Sequence, residues 1–282
     1  MQKGSVTRGL SYFNPDFYSY FCPMLKLVCG IFLSVISLSV TAQIRLDKLV
    51  LKPGQHFTIE GSDILVVDTL VMGDSSRIIL NRAKADDYIH ARIARIGKGC
   101  SIEGSGKRGT DGTNGPNGAD QLSPCRQANP GADANDGTSG ETGSNLFIYS
   151  DDIQIEGSLT INLNGGDGGD GGDGGQGGGG GPGTRVCPGG DGGQGGSGMR
   201  GGNGGDGGNL TIQCKRCPDY QVWLGSKLYI KNYGGFGGVG GEAGRGGLAG
   251  LGPLRDGRNG IRGSHGEEGV AGKNGIVTFN RN

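Results

Sequence analysis

The chain of 282 residues is poor in proline, histidine and aromatic side chains. It contains 10 Pro, 3 His and 1 Trp, and aromatic residues make up 6% of it. So little proline argues against a collagen triple helix, which combines its repeated glycine with abundant proline. Basic and acidic residues balance at 27 each, so the chain lacks the basic excess that nucleic-acid binding requires.

Glycine is the residue in excess. Of the 65 glycines, 57 lie between residues 104 and 275. About half of the chain therefore has too few apolar side chains to build a core, which excludes a conventional globular enzyme of this length.

The N-terminal part predicts export. From Met24 to Gln43 the chain has a lysine, a short apolar run and small residues before Gln43, as in a secretory signal. A single membrane anchor is the alternative, and Met24 is an alternative start. We expect a signal peptide over residues 1–42, a secreted or cell-surface location in a bacterial envelope, and no membrane span after cleavage.

Glycine recurs at every third residue, with few gaps, in six blocks. The blocks cover residues 106–118, 131–143, 165–183, 189–208, 235–250 and 257–275. A period of three favours a polyproline-II-type helix, which has three residues per turn. Three blocks carry glycine on two faces and three on one face, which predicts inner and outer helices. The alternative is a flexible glycine-rich linker.

Short apolar segments such as 64–72, 159–163, 210–214 and 222–231 alternate with these blocks and predict β-strands. The predicted fold class is all-β plus polyglycine-II. A short β-solenoid or sandwich carries three glycine-rich hairpins that form a six-helix bundle. We expect a strand region over residues 43–103, interleaved hairpins and strands over 104–275, and a closing strand over 276–282.

This repeat pattern resembles polyglycine-II proteins, namely the receptor-binding tip adhesins of certain bacteriophages and the glycine-rich antifreeze protein of snow fleas. The resemblance covers the six blocks and not the strand segments. It implies a bundle whose tip loops recognise a surface receptor in the first case, and a flat ice-binding face in the second.

The turns between paired blocks contain the candidate binding residues. Each turn has arginine beside apolar residues and proline, a combination that suits recognition because arginine supplies forked donors and apolar groups supply buried area. The candidates are Leu122, Arg126, Arg185, Val186, Leu254 and Arg255. Ordinary solvated turns are the alternative.

Five cysteines follow the predicted signal, and export permits disulfides. Cys125 and Cys187 fall in two different tips, so we expect a disulfide that ties the tips together. Cys100 is expected to pair with Cys214, with Cys217 as the alternative partner. Cys214 and Cys217 form a single CxxC, a weak zinc signal, and no metal or cofactor is expected.

Asp167, Asp170 and Asp173 repeat every third residue and are expected to form a solvated carboxylate ridge. The three histidines are scattered, which argues against catalysis.

The sequence predicts a secreted, non-enzymatic structural or adhesion-type protein whose partner is a cell-surface glycan or protein receptor. The alternatives are an ice- or surface-binding extracellular protein and a carbohydrate-active β-helix enzyme.

Overall fold

The computed structural model describes residues 43–281, and side-chain surroundings over 43–280. The predicted signal peptide over 1–42, the alternative start at Met24 and the last residue lie outside the described residues. The described elements are β1 (Ile44–Leu51), β2 (His56–Thr58), β3 (Ile64–Met72), β4 (Arg77–Ile79), β5 (Asp86–Ile96), β6 (Cys100–Glu103), β7 (Asn145–Ile155), β8 (Leu159–Asn162), β9 (Leu210–Cys214), α1 (Tyr220–Trp223), β10 (Leu228–Lys231) and β11 (Val277–Arg281).

The strands form two sheets, and successive strands alternate between them. One sheet has the order β1-β3-β5-β7-β9-β11 and the other the order β10-β8-β6-β4-β2. Every described pairing within both sheets is parallel. Each successive pair of strands thus adds one strand to each sheet. The glycine-rich segments follow β6, β8 and β10, which belong to the second sheet.

The core lies between the sheets and is built from rows of like aliphatic residues. In the first sheet Leu65 pairs with Ile89, and Ile89 pairs with Ile148, all buried. In the second sheet Ile102 pairs with Ile161, and both are buried. Because side chains alternate across a strand, every second residue of these strands points inward. Each buried aliphatic side chain contributes about 1.5–3 kcal/mol to stability.

Helix α1 is a single turn that closes one end of this core. The Asp219 side chain accepts a hydrogen bond from the Gln221 N–H at 3.1 Å and so caps the turn. Trp223 is buried, and Tyr220 stacks on Phe279 with ring centroids 4.3 Å apart.

The predicted fold class is wrong. In place of an all-β solenoid or sandwich with a six-helix polyglycine-II bundle, the described residues form a two-sheet parallel fold with almost no helix. The six glycine-rich blocks contain neither helix nor strand. A repeat of three marks which residues face a neighbouring backbone, but it does not by itself assign a helix. Parallel pairing arises between segments far apart in the chain, which the local pattern does not encode.

Backbone hydrogen bonds join the glycine-rich blocks to one another, and Gly169 shows why glycine is needed there. Its N–H donates to the Thr138 carbonyl at 2.9 Å, and its carbonyl accepts from the Gly202 N–H at 2.8 Å. A Cβ atom on Gly169 would lie against the carbonyl of Thr110. Two neighbouring backbones therefore hydrogen-bond to Gly169, and a third, at Thr110 and Asp111, occupies the space that a side chain would need.

The row of aspartates also belongs to this hydrogen-bonded array. The Oδ1 atoms of Asp167, Asp170 and Asp173 accept backbone N–H groups of the neighbouring block at 2.7, 2.8 and 2.8 Å. The expectation of a merely solvated ridge is corrected accordingly. Backbone N–H groups without a carbonyl partner require an acceptor, and these carboxylates supply it.

Asp87 of β5 is a buried carboxyl at the base of the first blocks. Its Oδ1 accepts the Asn81 N–H at 2.9 Å, and its Oδ2 has no hydrogen-bond partner among the described residues. Burial raises the pKa of Asp87 to about 6, against the opposing effect of the Asn81 hydrogen bond.

Replacement of Gly169 by alanine is expected to destabilise the protein by about 1–3 kcal/mol, because the new methyl group meets backbone that cannot withdraw. Urea unfolding measures the change. Gln176→Ala, at an exposed position of the same block, is the matched control and should stay within about 0.5 kcal/mol of wild type. Equal stability of the Gly169→Ala variant and the wild type would contradict the close packing.

Asp87 should make the free energy of unfolding fall as pH rises from about 4 to about 6. The folded state holds the proton up to about 6, whereas the ordinary Asp pKa is 3.8, so the unfolded state binds fewer protons in this window. The loss is at most about 3 kcal/mol. Asp87→Asn should flatten this part of the curve, measured by urea unfolding at several pH values. The exposed Asp68→Asn is the control, and an unchanged slope in Asp87→Asn would refute the assignment.

Candidate functional site

The three turns that connect paired blocks lie side by side at the tip of the glycine-rich array. They span residues 119–130, 184–188 and 251–256. The Cys125 N–H donates to the Pro182 carbonyl at 2.8 Å, and the Gly183 N–H donates to the Leu251 carbonyl at 2.8 Å. The Gly189 N–H donates to the Arg255 carbonyl at 2.8 Å. Backbone hydrogen bonds therefore place all three tip turns in one surface.

A disulfide between Cys125 and Cys187 connects the first two tip turns. Their Cα atoms are 6.0 Å apart and the residues are 62 positions apart in the chain. Cys125 has a φ of 65°, in the left-handed region that residues other than glycine rarely adopt. Closing a loop of this length stabilises the folded state by roughly 4 kcal/mol in the chain-entropy account. The structure thus contains the tip disulfide that the cysteine positions predict.

Apolar side chains project from every tip turn into solvent. Leu122 is 91% exposed and Val186 is 88% exposed, while Leu251 and Leu254 are 73% and 60% exposed. None of these side chains contributes to the core between the sheets. These side chains are therefore accessible to a partner at the tip.

An open groove of about 530 Å³ lies among the tip turns. Its lining includes Cys125, Pro188, Asp191 and Arg255. The Asp191 Oδ1 accepts the backbone N–H of Arg258 at 2.7 Å, and the Asp191 carboxylate also lies 3.6 Å from the Arg258 guanidinium. The groove is therefore polar, with apolar side chains projecting from the turns around it.

The structure brings the candidate residues together in this surface. Arg255 lines the groove, and the other candidates lie in the same three turns, namely Leu122, Arg126, Arg185, Val186 and Leu254. Arg126, Arg185 and Arg255 are exposed, and within the described part of the chain none of them forms an ion pair.

The other predicted disulfide is wrong. Cys214 pairs with Cys217, with Cα atoms 5.7 Å apart, and Cys100 is a buried free thiol. Cys100 lies in β6 of one sheet and Cys214 in β9 of the other. The Cys100 Sγ instead lies 3.2 Å from the Gly73 carbonyl. Cys214 and Cys217 come together because the chain turns just after β9. Cys100 is therefore left without a disulfide partner.

The sequence missed a group of polar and aromatic residues on the outer face of the first sheet. His90 stacks on Tyr149 with ring centroids 4.5 Å apart, because the two residues are paired in β5 and β7. Lys215 lies 2.9 Å from Asp151. The hydrogen bond from Lys215 lowers the pKa of Asp151, with a further contribution from the nearby charge of Arg92. Register across parallel strands assembles this group, so no short motif marks it.

Histidines and acidic residues do not assemble a metal centre in the part of the chain that the structure describes. No group of three or more His, Cys, Asp or Glu side chains there is arranged to hold a metal ion. His90 is in β5, His56 begins β2, and His265 lies in the last glycine-rich block.

The cysteine arrangement predicts that Cys100 is the only thiol among residues 43–282 that can be alkylated without reductant. Because Cys100 is buried, labelling should require denaturation. Peptide mapping of protein alkylated in urea, with and without prior reduction, measures this. A linked Cys125–Cys187 peptide pair should appear before reduction and vanish after it. Labelling of Cys214 or Cys217 before reduction would contradict the second disulfide.

Comparison of the chain with protein-family models, curated proteins and solved structures found no match. The chain is therefore assigned to no family, and the resemblance to polyglycine-II proteins stays a prediction from the repeat pattern. Since a fold does not define a function, the functional argument rests on the chemistry of the tip surface.

Proposed function

We propose that the protein is a secreted, non-enzymatic adhesion-type protein that contacts a cell-surface glycan or protein receptor through the tip turns. The observation that carries this proposal is the exposure of Leu122 and Val186 in neighbouring turns joined by a disulfide. Exposed apolar side chains held on a rigid support lose little conformational entropy when they are buried by a partner.

The surroundings of these side chains support recognition. Arginine stands directly beside an apolar residue in two of the turns, as Arg185 with Val186 and Leu254 with Arg255, and the first turn contains Leu122 and Arg126. An apolar contact with a neighbouring forked donor resembles the residue combinations that dominate binding energy in protein interfaces. The disulfide and the backbone hydrogen bonds between turns keep this combination in place.

The disulfides support an extracellular location. The described residues contain two disulfides, which persist in oxidising compartments. Within residues 43–281 no helix is long and apolar enough to cross a membrane. The predicted signal segment would deliver the chain to such a compartment, where the tip turns can meet a surface receptor.

Substitution of Val186 and Leu254 by aspartate should reduce binding to cell surfaces at least about tenfold, because burying an unpaired carboxylate in a contact is costly. The measurement is the fraction of protein that sediments with intact bacterial cells from a panel of species. Folding should persist, since both side chains are exposed and lie outside the core.

Phe236→Asp with Val239→Asp is the matched control, because both residues are exposed and lie in a glycine-rich block away from the tips. This variant should bind as the wild type does. Undiminished binding by the tip variant, or equal losses in both variants, would exclude the tips as the contact surface. Absence of binding to every cell type would refute the adhesion function itself.

A further inference from the structure

The tip surface carries three arginines that have no acidic partner within the described residues. Arg126, Arg185 and Arg255 are exposed and form no ion pair or side-chain hydrogen bond within the described residues. In the glycine-rich blocks Arg108 pairs with Asp111 and Asp170 at 2.8 and 3.3 Å, whereas Arg245 and Arg262 form no ion pair among the described residues. What distinguishes the tip is that three unpaired arginines lie in adjacent turns.

The carboxylates near the tip are occupied by backbone donors. Asp120 accepts the Gly179 N–H at 2.6 Å, and Asp256 accepts the Gly252 N–H at 2.9 Å. Asp191 accepts the Arg258 N–H at 2.7 Å and pairs with its guanidinium. These acidic side chains stabilise the turns through hydrogen bonds. None of them forms an ion pair with Arg126, Arg185 or Arg255.

The fold holds the three arginines close to one another. Arg126 follows Cys125 directly, and Arg185 precedes Cys187 by two residues, so both arginines lie near the disulfide, whose cysteine Cα atoms are 6.0 Å apart. The Arg126 carbonyl accepts the Gly181 N–H at 2.9 Å, and the Arg255 carbonyl accepts the Gly189 N–H at 2.8 Å. Each arginine backbone is therefore fixed to the second pair of blocks, while its side chain stays free.

We propose that the surface formed by the three tip turns binds an anionic ligand, a surface polymer that bears carboxylate or phosphate groups, through Arg126, Arg185 and Arg255. This inference rests on the proposed adhesion function and names the chemistry of its ligand. The planar guanidinium presents a fork of N–H donors that matches the oxygens of carboxylate and phosphate. Several such forks on one surface favour a ligand with repeated anionic groups, since each group engages a separate arginine.

The apolar residues beside the arginines define the rest of the ligand. Leu122, Val186 and Leu254 provide contact area for the uncharged parts of a polymer between its anionic groups. A polymer that offers only anionic groups, such as polyphosphate, uses the arginines alone, whereas a polyuronate also presents C–H surfaces of its sugar rings.

The test is binding of the purified protein to immobilised polygalacturonate, polyphosphate and neutral dextran. We expect binding to polygalacturonate, to polyphosphate or to both, with affinity that falls as salt concentration rises, and no binding to dextran. The two anionic polymers distinguish carboxylate from phosphate as the group recognised. Equal binding to dextran, or binding to neither anionic polymer, would overturn the proposal.

The variant Arg126→Gln/Arg185→Gln/Arg255→Gln should weaken binding to the anionic polymer about 30-fold or more. Arg200→Gln/Arg245→Gln/Arg262→Gln removes the same charge from the glycine-rich blocks away from the tip and should change affinity less than about threefold. Equal losses in the two variants would show that only the overall charge matters and would overturn the site. Replacement of the three tip arginines by lysine should restore part of the affinity, because the charge returns without the fork.

The cell-binding assay separates this inference from the adhesion function. If the wild type and the tip glutamine variant bind cells equally, adhesion stands and the anionic ligand is refuted. If the wild type binds no cells but binds an anionic polymer through the tip arginines, adhesion is refuted and the ligand class stands. Equal thermal unfolding midpoints of the variants verify that these differences arise at the binding surface.

Discussion

The structure depends on backbone hydrogen bonds between extended glycine-rich blocks that approach too closely for side chains. The position of Gly169, with neighbouring backbones on three sides, illustrates the constraint. A buried N–H or C=O without a partner is costly, so the blocks are stable only when their neighbours supply partners. Asp167, Asp170 and Asp173 satisfy N–H groups of the next block that no carbonyl reaches. Positions at which two backbones meet therefore carry no side chain. Positions beside an N–H group that no carbonyl reaches carry a polar side chain.

The two sheets supply the core that the glycine-rich blocks cannot. Rows of aliphatic residues, such as Leu65, Ile89 and Ile148, are in register because each turn of the chain returns to the same place in the sheet. That register keeps the starts of successive blocks adjacent. Backbone hydrogen bonds between the blocks keep them adjacent as far as the tips. There the Cys125–Cys187 disulfide joins the first two turns, far from the core. Exposed residues such as Val186 and Arg185 are consequently displayed on a constrained surface.

Sequence reasoning succeeded where the signal was local. The segments 64–72 and 210–214 are strands as predicted, because their alternation is strong. It failed for residues 222–231, expected to be one strand, since Asp219 caps a helical turn before β10. Strands β1 and β6 fall within the strand region expected over residues 43–103, although charged or small residues weaken their alternation. The Cys100–Cys214 pairing was wrong because Cys217 lies within reach of Cys214 through a local turn, whereas Cys100 belongs to the other sheet.

The amino-acid sequence by itself determined where side chains are excluded, where the chain turns, and which apolar and arginine residues occupy those turns. These features follow from local composition, because each depends on the chemistry of a few consecutive residues. Only the tertiary structure decided that all strand pairing is parallel, that the aspartates accept backbone N–H groups, and that Arg126, Arg185 and Arg255 share one surface. Those outcomes join residues distant in the chain, 21 positions apart in the strand pair of Ile44 with Leu65 and 69 in the hydrogen bond between Asp170 and Val239, and their partners are selected by register.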